Sequence, residues 1–134
     1  MESKRVSLRL SEEENTYVAS TSFGQLLVGE KGHRPMELLL VSLAGCSGVD
    51  VSIILKKKRQ EVKDIRIDVL GLRRDEHPRY YEKIEIHYTI VGKNINPKAV
   101  EDAIKLSLEK YCSVHAMLKE KAHISYSYSI ENVE

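Results

Sequence analysis

Two cysteines, Cys46 and Cys112, are the side chains of this sequence best suited to covalent chemistry. A thiol reacts as its thiolate, so it must be reachable and its negative charge must be stabilised. Cys46 lies in "LAGCSGVD", between Gly45 and Gly48, inside a long apolar run. Each glycine costs about 1 kcal/mol against alanine in a helix interior. Close backbone approach, a kink or open space beside the sulfur would explain that cost, and so would tight helix packing. Asp50 stands one turn beyond Cys46 on the same side of the helix. A carboxylate disfavours a neighbouring thiolate unless a cation pairs with it, so we expect Asp50 to be satisfied by a backbone group or a basic residue.

Cys112 follows a second amphipathic run. If the two sulfurs approach within disulfide range, Cys112 can capture an oxidised Cys46 and spare it a destructive sulfinic product. Two readings compete with this one. The thiols can be inert packing groups. Alternatively Cys112 and His115, which share a helical face, join Cys46 and His123 in a set of four that zinc accepts. A single Cys-x2-His pair is a weak metal signal, and neither a metal nor any other cofactor is expected.

The elements that must position these residues follow from periodicity. Val6, Leu8 and Leu10 alternate with Ser7 and Arg9, "TYVAS" is β-prone, and Gly24 precedes "QLLV". This predicts three short strands, with "SEEEN" as a charged turn and "GEKGHR" as a loop. Pro35 opens a helix at the position where proline loses no hydrogen bond. From Met36 to Leu55 the apolar residues occupy nearly every face, and the run ends in Lys56, Lys57, Lys58 and Arg59. Four cations at a helix C-terminus complement the macrodipole. A helix apolar all round is buried on all sides. A chain of 134 residues can hardly bury such a helix alone, so the pattern predicts a dimer.

Next come Ile65, Ile67 and Val69, the turn "RRDEHPR", and Ile84, Ile86, Tyr88 and Ile90, a β-hairpin with one face on the core and one largely in water. His87 falls on its polar face as a surface histidine. Asn96 and Pro97 start a second helix in which Val100, Ile104, Leu108 and Tyr111 recur at helical spacing, and "SVHAMLKEK" adds a short one. The closing "HISYSYSI" alternates and joins the sheet of the hairpin. Strands and helices are grouped rather than alternating, which predicts an α+β fold with antiparallel pairing in a single domain, residues 1–134.

The net charge of +1 gives no reason to expect nucleic acid or an anionic membrane as partner. Ser42, Gly45, Ser47, Gly48, Asp50 and Ser52 interrupt the apolar stretch and make it a poor membrane span. The opening "MESKRVSLRLSEEEN" lacks the apolar core of a signal peptide, so a cytoplasmic protein is expected.

The stretch "RPMELLLVSLAGCSGVDVSIILKKKR", followed later by "YCSV", resembles the OsmC/Ohr superfamily of osmotically inducible and organic hydroperoxide resistance proteins. The resemblance covers most of the chain. It implies an OsmC-like fold: α+β, antiparallel sheets, a long buried central helix and an intertwined homodimer whose two subunits shape each active site. It implies a cysteine-based thiol peroxidase that reduces organic hydroperoxides in oxidative and osmotic stress defence. On that pattern Cys46 is the peroxidatic cysteine, Cys112 is the resolving cysteine, and a dithiol reductant reopens their disulfide. The superfamily's glutamate directly after the helix-opening proline is replaced here by Met36, with Glu37 one residue late. The arginine of its first turn is missing from "SEEEN", which leaves Arg34 or His33 as the candidate positive charge. The alternative function is a non-catalytic dimeric small-ligand-binding protein with a pocket beside Met36 and Cys46.

Overall fold

Short alternating runs build the first part of the computed structural model, which describes all residues from Met1 to Glu134 in two units, Met1–Leu39 and Leu40–Glu134. In the first unit β1 (Ser7–Leu10), β2 (Thr16–Ser20) and β3 (Gln25–Gly29) form an antiparallel meander in that order. The expected turn "SEEEN" is closed by Ser11, whose hydroxyl donates to the Thr16 carbonyl at 2.6 Å and accepts the Glu13 N–H at 3.1 Å. Buried Thr16 accepts the Lys31 N–H at 2.9 Å, which ties the following loop to β2. Leu8, Leu10 and Tyr17 lie on one face of this sheet and remain exposed.

Helix α1 (Pro35–Lys57) starts at the proline, as expected, and its body belongs to the second unit. Its buried residues are Leu43, Ser47, Val51 and Leu55, one stripe at i, i+4 spacing. Offset by two residues, and therefore on the opposite face, Val41, Val49 and Ile53 are 63%, 60% and 49% exposed. The expectation of a helix buried on all sides is thus not met within one chain. A single sheet has one face to offer, so α1 hides one stripe and leaves the other bare. By length and composition α1 would pass for a membrane span, but its inward stripe carries hydrogen-bonded Ser47 and packs as a core helix does.

The second sheet has the order β4 (Glu61–Arg73), β5 (Tyr81–Lys93), β6 (His123–Asn132). The hairpin β4–β5 is antiparallel, pairing Ile65 with Ile90, Ile67 with Tyr88 and Val69 with Ile86. Strand β6 joins its sheet as expected but runs parallel to β5, with Ile86 beside Tyr126 and Tyr88 beside Tyr128. The all-antiparallel expectation is corrected here. The chain between β5 and β6 is a helical crossover rather than a tight turn, and a crossover returns a strand in the parallel sense.

That crossover begins with α2 (Pro97–Leu106), where the Asn96 side chain caps the helix by accepting the Lys98 N–H at 2.9 Å. Ala99, Val100, Ala103 and Ile104 form its buried face. Tyr126 on β6 donates to Glu101 on α2 at 2.8 Å and fastens the helix to the sheet. His87 lies on the polar face of β5, as expected, with its ring nitrogens 2.7 and 3.1 Å from the hydroxyls of Ser127 and Ser129.

The fully buried Leu55 anchors the C-terminal end of the inward stripe. Leu55→Ala should therefore destabilise the fold by about 2–5 kcal/mol, the cost of lost burial plus a cavity. Urea denaturation should show the midpoint falling with an unchanged m-value.

Candidate active site: two thiols beside a buried hydroxyl chain

Cys46 sits on α1 next to inward-facing Ser47 and is half-buried, a free thiol. The neighbouring glycines separate into two roles. A Cβ on Gly48 would lie 2.9 Å from Ile67 Cδ1, so this glycine lets β4 approach the helix. A Cβ on Gly45 would meet nothing within 4 Å. Gly45 is the fourth member of the outward stripe, with Val41, Val49 and Ile53.

Cys112 is placed by a slip in the second helical run. Helix α2 ends at Leu106, and the turn Ser107–Tyr111 that follows is π-helical. The Cys112 N–H donates to the Ser107 carbonyl at 2.7 Å, one residue further along than an α-helix would allow. The extra residue turns Tyr111 out to 52% exposure, so the apolar stripe expected through Tyr111 stops at Leu108. Cys112 itself is extended, with φ −76° and ψ 100°, and buried. It caps the short helix α3 (Ser113–Leu118), its Sγ accepting the His115 N–H at 3.4 Å.

Cys46 bears on the Cys112 thiol, both as a side-chain partner and through its charge. Burial first, then the Cys46 contact and the charges of Cys46 and Asp50, push the Cys112 thiol up to about 11, against the His115 N–H. In this site Cys112 is therefore a neutral thiol at ordinary pH. The competing four-residue zinc set does not assemble: no group of three or more Cys, His, Asp or Glu side chains stands at metal-binding geometry. His115 serves Cys112 through its backbone, its buried imidazole Nδ1 has no hydrogen-bond partner, and burial lowers the imidazole, with the Leu108 backbone opposing. His33 and Arg34 are exposed residues of the loop before α1.

Sequence reasoning missed the polar chain beside the thiols. Ser47 Oγ lies 2.7 Å from the Tyr88 hydroxyl and 2.8 Å from Ser107 Oγ, and Ser107 donates to Asp50 Oδ2 at 2.9 Å. Tyr88, Ser47 and Ser107 are fully buried. Asp50 is satisfied by a serine hydroxyl, not by the backbone group or cation expected. Burial foremost pushes the Tyr88 phenol up to about 12, with the Ser47 hydrogen bond opposing and the Cys112 and Asp50 charges adding. A usable signal was present, because Ser47 is the one polar residue at the spacing of Leu43, Val51 and Leu55.

A two-thiol α+β protein, with one thiol half-exposed on a central helix and the other buried at the turn that helix is bonded to, is the class that this fold and site define. The chain belongs to the OsmC-like family: the model described as "OsmC-like protein" matches residues 28–127. It is 41% identical to Protein YhfA of Escherichia coli strain K12 over 102 residues, 76% of each chain. A hypothetical protein from Aquifex aeolicus VF5 has a crystal structure that superposes with a TM-score of 0.90 at 55% identity, covering 98% of this chain and all (100%) of that one. The organic hydroperoxide resistance protein OsmC from Legionella pneumophila shares the fold at a TM-score of 0.71 and 11% identity, with 96% and 98% coverage. The α+β OsmC-like fold expected from the sequence is thereby established.

The raised thiol and phenol give alkaline pH a defined effect. In the folded chain Cys112 ionises near 11 rather than 9.0, and Tyr88 near 12 rather than 10.0. Each raised value favours the protonated native state, so the stabilisation is complete below the unfolded pKa and is lost as pH rises through the folded one. Stability measured by urea denaturation should decline from about pH 9 upward to about pH 12. Cys112→Ala should remove the lower part of that decline, and Tyr88→Phe should reduce the upper part, which Tyr126, also raised to about 12, shares.

Proposed function

We propose that the protein is a cysteine-based peroxidase that reduces organic hydroperoxides, with Cys46 as nucleophile and Cys112 as resolving thiol. Membership of the OsmC/Ohr superfamily supports a stress-related redox role. The observation that carries the finer reading is the bonded path from Ser47, next to Cys46, through Ser107 to the Cys112 backbone, which brings together segments that the hairpin and α2 separate in sequence. The Cys46 thiolate attacks the outer oxygen of the hydroperoxide, the O–O bond breaks, and the alcohol leaves after taking a proton. The sulfenic acid left on Cys46 then condenses with the Cys112 thiol, forming the disulfide and releasing water. A dithiol reductant of the cytoplasm takes up the oxidising equivalents and restores both thiols. Half-exposed Cys46 is reachable by substrate, whereas buried Cys112 is shielded from direct oxidation. Cysteines that never approach would favour the non-catalytic binding alternative, and the influence of Cys46 on Cys112 weighs against it.

The working unit on this reading is a homodimer of single-domain chains, residues 1–134. The outward stripe of α1, together with Ile65 and Ile67, lines an open apolar groove. Exposed Leu8, Leu10 and Tyr17 in the first unit add a second uncovered surface. Apolar faces of this kind in one chain favour burial against a second copy.

Reduced protein treated with one equivalent of cumene hydroperoxide should lose both thiols much faster than a denatured control, as counted with a thiol reagent. Cys46→Ser should abolish turnover with the fold intact. Cys112→Ser should permit one turnover, followed by overoxidation or mixed disulfides visible by mass spectrometry. Thiol loss no faster than in the denatured control would sink the peroxidase reading. Val49→Asp should weaken the dimer by roughly 3 kcal/mol or more through an unpaired carboxylate in the interface. Light scattering would follow that dissociation, and a wild-type protein that is monomeric would count against the dimer.

A further inference from the structure

We propose that Ser107 is the positioning residue of the thiol pair, a clamp that holds Cys112 in register with Cys46. The inference rests on the reading of the two cysteines as a redox pair and names the device that makes them one. Ser107 acts through both of its polar ends. Its hydroxyl contacts Ser47 at 2.8 Å, the residue next to Cys46, and donates to Asp50 at 2.9 Å. Its carbonyl accepts the Cys112 N–H at 2.7 Å across the π-helical turn. From Cys46 the connection runs through one peptide bond to Ser47, across to Ser107, and on to the Cys112 backbone. Cys46 also acts on the Cys112 thiol itself, at the far end of this path.

The direction of the hydrogen bonds follows from counting protons. A serine hydroxyl has one hydrogen to give. Ser107 gives its own to the Asp50 carboxylate, so it must accept from Ser47. Ser47 has then used its hydrogen and must accept from the Tyr88 phenol. Every hydrogen points toward Asp50. All three hydroxyl residues are shut from solvent, so no water can replace a lost partner and each bond is costly to break. The π-helical turn completes the device. Had the helix continued as an α-helix, the Ser107 carbonyl would hold Tyr111, and Cys112 would leave the clamp.

The test compares disulfide equilibria rather than peroxide rates. In a glutathione buffer the protein dithiol and oxidised glutathione exchange to give the Cys46–Cys112 disulfide and two molecules of reduced glutathione. The constant for this exchange reports the effective concentration of one thiol at the other. Ser107→Ala should lower it by about tenfold or more, and Ser47→Ala should lower it in the same direction. The double variant should fall no further than Ser107→Ala by more than about twofold, as expected for groups in one path. Asp50→Asn should stay close to wild type, because its amide oxygen still accepts the Ser107 hydrogen. Ala103→Gly, at a buried position of α2 outside the hydroxyl chain, controls for simple loosening of the fold.

A constant for Ser107→Ala within about twofold of wild type would overturn the proposal. So would an equal fall in Ala103→Gly, or a wild-type protein that forms no disulfide in the buffer. A wild type that reaches the disulfide with glutathione yet never with peroxide would sink the peroxidase reading and leave the clamp standing. Peroxide-driven disulfide formation that Ser107→Ala does not disturb would do the reverse. With peroxide, Ser107→Ala should also divert Cys46 from disulfide to sulfinic acid, a partition that overall stability does not set.

Discussion

A hydroxyl placed where a helix must bury an apolar side chain has to find its partners inside the protein. Ser47 is that hydroxyl, and much of the second unit depends on its bonds to Tyr88 and Ser107. A buried polar group left unpaired costs about 1–3 kcal/mol, so the Ser47 contacts specify more than they stabilise. They set α1 against β5 through Tyr88 and against the π-helical turn through Ser107. Rotating or sliding the helix by one residue would strand three hydroxyls at once. The apolar members of the same stripe, Leu43, Val51 and Leu55, are less demanding about register.

The consequence for the thiols is an asymmetry. Cys112 is buried, neutral and held at both backbone and sulfur, while Cys46 is half-exposed on the same helix that carries Ser47. Neither of the charges acting on Cys112, those of Cys46 and Asp50, favours its thiolate. On the proposed chemistry this division is useful: one sulfur meets the peroxide, and the other waits in an unreactive state until a sulfenic acid forms beside it. The π-helical turn contributes by ending α2 early enough to make Cys112 extended and a cap for α3. Such turns recur at functional sites because they aim a side chain at modest cost.

Helix α1 faces two ways, which explains its composition. An all-round apolar helix read from one chain predicts complete burial, yet only one stripe is covered. The opposite stripe carries Gly45, beside which a Cβ would meet open space. Gly48 has a different neighbour, Ile67 of the chain's own sheet. Two glycines flanking one cysteine thus answer to two surfaces, one internal and one exposed.

Much of this was legible in the sequence. Strand alternation gave the meander, the hairpin and β6, Pro35 and Asn96 marked the helix starts, and the motifs around Cys46 and Cys112 carried the family. These features are local, set by periods of two and 3.6 residues and by backbone capping, so a linear reading can find them. The parallel pairing of β6, the π-helical slip that turns Tyr111 outward, and the Tyr88–Ser47–Ser107–Asp50 chain were not legible. Each depends on groups brought together from distant segments, where burial removes water as the alternative partner. The sequence by itself determined which residues could act and which elements would carry them. The tertiary structure alone decided that the helix of Cys46 is tied through Ser47 to the turn that holds Cys112, because only folding makes a shielded hydroxyl choose its neighbours.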